Sequence, residues 1–200
     1  MTRRVVVGVS GASGAVIAVR IVDLLATLGV AIDLVISSAA ERTLAHEVDA
    51  GAADRLRARA AVAHGIDDIG ATIASGSYPV AGMIVAPCSM RTLAAIAHSL
   101  SDNLLVRAAD VQLKERRPLI LLARETPLHL GHLRAMTAAT EMGAVIMPPV
   151  PAFYRRPDSV AAIVDHIARR AIDQLRLGPQ IAGAWSPDAA AATGPEGEAP

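Results

Sequence analysis

The ten residues VVVGVSGASG, at positions 5–14, decide the fold predicted for this chain. Residues 5–9 form a nearly unbroken β-branched run, which is typical of a strand buried on both faces of a parallel sheet. The Gly-rich turn SGASG at 10–14 follows, and apolar residues at helical spacing continue as far as Gly29. A second buried strand is predicted at 31–36. These segments together indicate a βαβ unit whose first turn is rich in glycine.

Helices and strands continue to alternate as far as residue 177. Further helices are predicted at 39–48, 92–100, 103–116, 130–142 and 159–177, and further strands at 82–86, 119–123 and 144–147. This alternation predicts an α/β fold, a single doubly wound (Rossmann-like, flavodoxin-like) parallel-sheet domain with a C-terminal helix. Residues 49–65 show no strong period. The domain is expected to span 1–185, and the Ala-, Pro- and Gly-rich tail at 186–200 is predicted to be disordered.

The composition excludes several classes of protein. The 200 residues include 19 basic and 19 acidic side chains, so the chain lacks the charge excess typical of nucleic-acid or anionic-membrane binding. The single cysteine, Cys88, excludes a disulfide framework within one chain and a zinc ribbon. The N-terminal apolar run is too short for a signal peptide, and no run approaches the length of a membrane span. A cytoplasmic protein is therefore expected.

Two residue types are unusually rare. Lys114 is the single lysine among the 19 basic residues, and only four residues are aromatic, which are Tyr78, Phe153, Tyr154 and Trp185. Codon bias towards arginine explains a scarcity of lysine, and Lys114 can form a surface pair with Asp110 one helical turn earlier. A site that needs a compact point charge is the other explanation. The sequence pattern leaves both open.

Ligands of an open parallel sheet bind beyond the carboxyl ends of its strands. Small hydroxyls, glycines and arginines follow these strand ends, and the glycine turn at 10–14 can hold a phosphate at the start of the next helix. The turn is not GxGxxG, and the second strand ends in Ser37-Ser38 where a dinucleotide fold needs an acid. A mononucleotide such as FMN is therefore favoured over NAD. Alternatively, Gly11 and Gly14 only permit a tight turn.

Other candidate residues give weaker signals. Arg170 projects on or beside the apolar stripe of the last helix, so it needs an anionic partner, either an internal carboxylate or a bound phosphate. His129 and His132 lack nearby acids or thiols in sequence, which disfavours a metal site. Cys88 follows a buried strand, which favours a packed thiol over a nucleophile.

Five stretches resemble the UbiX family of flavin prenyltransferases. They are GVSGASGA at 8–15, PCSMRTL at 87–93, RAADVQLKERRPL at 107–119, RETPLHLGHL at 124–133 and GAVIMPPVPAFYRRP at 143–157. The resemblance extends from Val5 to Trp185. It implies an enzyme that joins the dimethylallyl group of dimethylallyl phosphate to N5 and C6 of reduced FMN. The prenylated FMN would then serve a separate UbiD-type decarboxylase. The family uses no metal and typically assembles as a homododecamer.

The resemblance also implies roles for individual residues. Cofactor-binding positions are Gly11, Ala12, Ser13, Ser37, Ser89, Met90, Arg91, Thr92 and Arg124. Positions for the prenyl phosphate are Lys114, Arg124, Glu125, Tyr154, Arg170 and Trp185, of which Lys114 and Arg170 are expected from a neighbouring subunit. Catalytic candidates are Ser13, Glu47 and Glu125.

Two alternative functions stay open. An FMN-dependent decarboxylase of cysteine-type substrates has a related fold, but its Asn-rich motif is replaced here by the residues SDNLL at 101–105. An FMN-carrying accessory subunit of a decarboxylase is the other alternative. The acid on which the downstream decarboxylase acts is not specified by the sequence.

Overall fold

The computed structural model describes residues 3–184. Within them, six strands form one parallel sheet in the order β3-β2-β1-β4-β5-β6. The strands are β1 Arg4–Val9, β2 Ala31–Ile36, β3 Val62–His64, β4 Met83–Cys88, β5 Leu119–Ala123 and β6 Val145–Ile146. The helices are α1 Ala15–Thr27, α2 Ser38–Glu47, α3 Ala52–Arg59, α4 Met90–Ala97, α5 Leu104–Lys114, α6 Leu130–Glu141 and α7 Val160–Gln174. The predicted doubly wound α/β fold is confirmed, with the strand order of a Rossmann sheet.

Each face of the sheet has its own apolar core. On one face, α1, α2, α3 and α7 pack against alternate strand residues such as Val5 and Val7. On the other face, α4, α5 and α6 cover Val6 and Val85. Because successive strand residues point to opposite faces, the β-branched run of β1 contributes to both cores. The sheet is therefore buried on both sides, as its sequence predicts.

Helix starts coincide with short polar residues. The side chains of Ser37, Ser89, Asn103 and Ser159 each accept a hydrogen bond from a backbone N–H in the first turn of α2, α4, α5 and α7, respectively. These caps satisfy donors that a helix N-terminus otherwise leaves unpaired. Gly14 precedes α1 with φ of 110°, a conformation that disfavours other residues. A glycine at position 14 is thus required by the backbone itself.

The region 49–65, which showed no strong period, contains α3 and β3. Leu56 is the only large apolar residue among those that α3 buries, and these otherwise are alanines, so the helix has almost no apolar stripe. β3 is three residues long and lies at the edge of the sheet, with Val62 40% exposed. Short, exposed edge strands carry little of the alternation on which a strand prediction depends.

A charged cluster is buried beside β2. The Asp33 carboxylate is fully buried, and it accepts hydrogen bonds from Arg4 at 2.9 Å and from the Tyr78 hydroxyl at 3.4 Å. His64 Nε2 lies 2.8 Å from the same carboxylate. The Arg4 guanidinium also lies over the Tyr78 ring. A buried carboxylate is tolerated only with such partners, and this cluster ties β1, β2, β3 and the loop before β4 together.

The strand order reverses between β1 and β4, which lie side by side in the sheet. The helices that follow them, α1 and α4, cover opposite faces, so the turns after the two strands diverge and leave a crevice. This crevice lies between residues 10–14 and 87–92. None of the helices among residues 3–184 is long and apolar enough to cross a membrane. The cytoplasmic location, the domain limits of 1–185 and the disordered tail at 186–200 stay predictions, the tail lying outside the described residues.

Candidate active site

Ser10 joins the two turns that border the crevice. Its hydroxyl donates to the carbonyl oxygen of Pro87 at 2.9 Å and accepts from the backbone N–H of Ser89 at 2.7 Å. The backbone N–H of Ser10 donates to the same Pro87 carbonyl oxygen. Because Ser10 is almost fully buried, these bonds are shielded from water and hold the turns in a fixed relation. No individual role for Ser10 is predicted from the sequence.

Gly11 brings the first turn against the start of α2. A β-carbon placed on Gly11 would lie 2.3 Å from the β-carbon of Ala39, which no side chain tolerates. Ser37, two residues before Ala39, caps α2 through its hydroxyl at 3.2 Å from the Ala40 nitrogen. The structure therefore places Gly11 and Ser37, both predicted FMN-binding residues, close together.

Glu47, at the last position of α2, closes this side of the crevice. One carboxylate oxygen accepts hydrogen bonds from the backbone N–H groups of Gly14 and Ala15, both at 2.8 Å. Partial burial raises the pKa of Glu47. Hydrogen bonds from the Ser13 hydroxyl and these two N–H groups, together with the charge of Arg124, outweigh that effect and lower the pKa overall. Ser13, Glu47 and Arg124, which are predicted site residues, are thus brought together around an ionised carboxylate.

This arrangement changes the expected role of the first helix. The sequence predicts a phosphate at the positive N-terminal end of α1, but Glu47 already occupies the Gly14 and Ala15 donors. α4 begins at the neighbouring turn and has no acidic residue in its first turn. Its cap, Ser89, also hydrogen-bonds the Thr92 hydroxyl at 3.1 Å. The N-terminus of α4 therefore fits an anion better than that of α1 does.

Three further predicted residues border the crevice. Arg124 directly follows β5, and its backbone N–H donates to the carbonyl oxygen of Cys88 at 3.0 Å. Glu125 is exposed and accepts from the backbone N–H of Thr126 at 3.1 Å. Arg91 forms an exposed ion pair with Asp102. Arg91 and Arg124 thus lie with Gly11, Ala12, Met90 and Thr92 of the predicted FMN set at one edge of the sheet, and Glu125, a predicted catalytic and substrate residue, follows Arg124 there.

Lys114 lies elsewhere in the same chain. It is the last residue of α5, and the chain enters β5 at Leu119, so Lys114 lies at the amino edge, opposite Ser13. Its ammonium group pairs with Glu115. The possible pair with Asp110 does not form, because the Asp110 carboxylate pairs with Arg107 at 2.9 Å. Within one chain, Lys114 does not reach the crevice.

Tyr154 and Arg170 lie near a second cavity of about 520 Å³. Arg155 lines it from the same 3-10 turn as Tyr154, and α7 lines it with His166 one helical turn before Arg170. Burial lowers the pKa of His166, and the positive charges of Arg155 and Arg170 lower it further. Three arginines (Arg155, Arg156 and Arg169) and two aspartates (Asp158 and Asp165) line the cavity, so its wall carries a small excess of positive charge that suits an anion such as a phosphate.

Arg170 has an internal carboxylate nearby, which was one of the two expected partners. The guanidinium lies 4.0 Å from the Asp173 carboxylate and is 42% exposed. That distance is longer than a hydrogen bond, so the guanidinium stays available for a second anion. Trp185, the remaining predicted substrate residue, lies outside the described residues.

Cys88 and the histidine pair are accounted for by packing. Complete burial raises the pKa of the Cys88 thiol to about 12, which suits a packed thiol and not a nucleophile. The rings of His129 and His132 stack with centroids 3.6 Å apart, and His129 Nδ1 caps α6. Between residues 3 and 184, no group of three or more His, Cys, Asp or Glu side chains is arranged to hold a metal ion.

Comparisons with known proteins agree with this geometry. The family model described as Flavoprotein matches residues 1–171. A flavin prenyltransferase UbiX from Thauera aromatica is 54% identical over 183 residues, which is 92% of this chain and 94% of that protein.

Two solved structures are similar over nearly their whole length. AnUbiX, crystallised with FMN and dimethylallyl pyrophosphate, gives a TM-score of 0.89 at 45% identity and covers 93% of this chain and 98% of its own. A dodecameric FMN-dependent UbiX-like decarboxylase from Escherichia coli O157:H7 gives a TM-score of 0.86 at 42% identity, with 92% and 99% covered.

Proposed function

The chain belongs to the flavoprotein family and, within it, to the UbiX flavin prenyltransferases, and from this premise we propose that it prenylates FMN. The reaction joins the dimethylallyl group of dimethylallyl phosphate to N5 and then to C6 of reduced FMN. The observation that carries the proposal is the cluster of Ser13, Glu47 and Arg124 at the crevice beside the glycine turn.

The groups around the crevice fit FMN. A flavin mononucleotide needs donors for a phosphate, hydroxyl partners for the ribityl chain and an apolar wall for the ring. Ser13, Ser37 and Ser89 supply hydroxyls, and the N-terminus of α4 with its Ser89 cap supplies the positive end of a helix. Gly11 and Ala12 carry no bulky side chain, so a planar ring can approach the backbone.

Cations are needed where the allylic phosphate leaves. Breaking the carbon–oxygen bond places negative charge on the departing phosphate, and positioned cations stabilise that charge in the transition state. Arg124 lies at the crevice of one chain, and Lys114 and Arg170 are proposed to reach the phosphate from a neighbouring subunit. Tyr154 is proposed to supply aromatic surface for the developing allylic cation. Trp185, which the resemblance also assigns to the substrate, is proposed to add to it.

Proton transfer falls to the residues around Glu47. Reduced FMN supplies the nucleophilic atoms N5 and C6, and closure of the ring at C6 releases a proton. Glu47 is ionised and hydrogen-bonded to the Ser13 hydroxyl, so this pair can accept a proton and relay it. Glu125, one residue after Arg124, is proposed as the second carboxylate of the site.

The site is proposed to be complete only in an oligomer. Lys114 lies at the amino edge of its own sheet, whereas the crevice lies at the carboxyl edge, so Lys114 cannot contact a ligand in the crevice of its own chain. Large apolar side chains are also exposed between residues 128 and 160, including Leu128, Leu130, Leu133, Val150, Phe153 and Val160. Where exposed side chains of this size lie together, they are typical of a surface covered in an assembly. We propose a homododecamer whose product is delivered to a UbiD-type decarboxylase.

Mass spectrometry of the flavin tests the function. Purified protein is mixed without oxygen with reduced FMN and dimethylallyl phosphate, and the released flavin is expected to be heavier by one C5H8 unit. Ser13→Ala is expected to abolish the product, whereas Ser77→Ala, in an exposed loop, is expected to retain it. Release of unmodified FMN alone contradicts the proposal. Release of CO2 from a peptidyl cysteine would favour the cysteine decarboxylase, and copurification with a decarboxylase without prenyl transfer would favour an accessory subunit.

A further inference from the structure

The C-terminal segment, residues 178–184, is fastened to α7 by one side chain. Asp173 accepts hydrogen bonds on both carboxylate oxygens, from the backbone N–H of Ile181 at 2.8 Å and of Ala182 at 3.1 Å. The Asp173 side chain is only 3% exposed. A buried carboxylate is costly unless charge-assisted bonds satisfy it, and these two bonds do so. The segment therefore depends on a charge that has little contact with water.

The same carboxylate faces Arg170. The Arg170 guanidinium lies 4.0 Å from Asp173, whose hydrogen bonds are made to backbone groups of the segment. The attraction is therefore electrostatic and does not lock the guanidinium into a hydrogen bond. Arg170 is drawn towards Asp173 and keeps donors for another anion.

A second contact joins the segment to the turn that carries Tyr154. Arg155 donates to the carbonyl oxygen of Gly183 at 2.9 Å. A β-carbon on Gly183 would lie 2.9 Å from the Arg155 guanidinium, so the backbone passes directly against this side chain. Ile181 and Gly183 also line the cavity beside His166. The segment thus connects the elements that bear Tyr154 and Arg170.

We infer that Asp173 is a positioning residue for the prenyl phosphate, holding Arg170 and the C-terminal segment in register. The inference rests on the proposed function for its substrate. It also explains why an acid is buried at the end of a surface helix, where Coulombic interaction with the helix terminus is unfavourable. Both carboxylate oxygens of Asp173 are needed to accept the two backbone N–H groups. Asparagine at this position would keep one acceptor oxygen and would present its NH2 donor to the other backbone N–H.

The test measures the segment and the substrate separately. Trp185, the single tryptophan of the chain, follows the segment directly in sequence and reports on it by fluorescence anisotropy without any ligand. We expect Asp173→Ala to lower the anisotropy and Asp173→Asn to lower it less. Asp165→Asn removes a carboxylate of the same helix that pairs with Arg20 and Arg169 and not with the segment. It is expected to leave the anisotropy unchanged.

Kinetics tests the link to the substrate. Asp173→Ala is expected to raise KM for dimethylallyl phosphate at least tenfold, Asp173→Asn to raise it less, and FMN affinity to change less than twofold. Equal losses of FMN and prenyl phosphate binding would indicate a general structural defect and overturn the inference, as would unchanged anisotropy and KM. If the wild type transfers no prenyl group, the proposed function fails, whereas unchanged anisotropy in both Asp173 variants overturns the positioning role independently.

Discussion

The carboxylate of Glu47 lies 2.8 Å from the backbone nitrogen of Gly14, although the two residues are 33 positions apart. The last residue of α2 therefore caps the first turn of α1, and it holds the Ser13 hydroxyl at the same point. One side chain combines a structural bond with the proposed proton relay. Loss of its charge is expected to affect stability and activity together.

Glu47→Gln tests the structural part. Glu47 has a lowered pKa in the folded state, so its contribution to stability is present above the unfolded value of 4.5 and is lost as the pH falls through the folded pKa. At neutral pH the variant is expected to be less stable by about 1 kcal/mol, since solvent screens this exposed position. Denaturant unfolding at several pH values measures the difference.

The matched control is Glu41→Gln in the same helix as Glu47, which removes a partly exposed carboxylate that pairs with Arg57 of α3. It is expected to have little effect on stability or prenyl transfer. A Glu47→Gln variant as stable as the wild type at neutral pH would contradict the capping role.

Ser10→Ala tests the link between the two turns. The change leaves the backbone N–H of Ser89, which is partly buried, without its hydrogen-bond acceptor. A loss of stability of about 1–3 kcal/mol is expected, together with weaker FMN binding, because Ser89 caps the helix that faces the crevice. Thermal unfolding and flavin titration measure the two effects. If the variant is less stable but binds FMN as tightly as the wild type, the Ser10 hydrogen bonds do not support the FMN site, and this part of the prediction is wrong.

Lys114→Arg tests the compact charge. If Lys114 binds the prenyl phosphate of a neighbouring subunit, the bulkier planar guanidinium is expected to raise KM for dimethylallyl phosphate on the order of tenfold. Arg116→Lys, an exposed substitution two positions later, is the control and is expected to behave as the wild type. Steady-state prenyl transfer measures both variants, and an unchanged KM in Lys114→Arg argues against a phosphate role.

Mixed oligomers test which subunit Lys114 serves. Lys114→Ala and Ser13→Ala are each expected to be inactive alone. Reassembled together from dissociated subunits, they are expected to regain part of the activity, because a mixed site can combine the intact Ser13 of one chain with the intact Lys114 of another. No recovery in verified mixed oligomers would contradict a shared site.

His166→Gln tests the electropositive cavity. Burial, and then Arg155 and Arg170, lower the pKa of His166 in the folded state. The unfolded chain therefore binds this proton more readily, so stability falls as the pH drops below about 6.5. The wild type is expected to lose more thermal stability than the variant between about pH 7.5 and pH 5. His46→Gln, at an exposed position of α2, is expected to keep the wild-type slope, and parallel slopes for His166→Gln and the wild type would contradict the prediction.

The buried strands were the most predictable part of the fold. The expected strands at 31–36 and 119–123 agree with β2 and β5 at both ends, because continuous apolar runs are bounded there by turn residues. β3 was missed because an edge strand three residues long shows no period. The pairing of β1 with β4, which places the crevice, depends on how the whole sheet packs and is not visible in any local sequence pattern.

The site was predictable by residue type but not by contact. The resemblance named Ser13, Glu47 and Arg124, and the structure brings them together. It could not indicate that Glu47 caps α1, because that bond depends on how α2 packs against α1. Ser10 and Asp173 carried no signal of their own, since a small hydroxyl and a helix-end acid are common on protein surfaces.

The Ser10 bridge also bears on the order in which the protein folds. Its hydroxyl bonds to a residue 77 positions away, so the bridge forms only after β1 has paired with β4 across the intervening half of the fold. Contacts of such long sequence separation are slow to form, because the loop between them must first be closed. A ligand of this edge would bind only the completed sheet, and would stabilise the whole domain by an amount that grows with the logarithm of the ligand concentration above Kd.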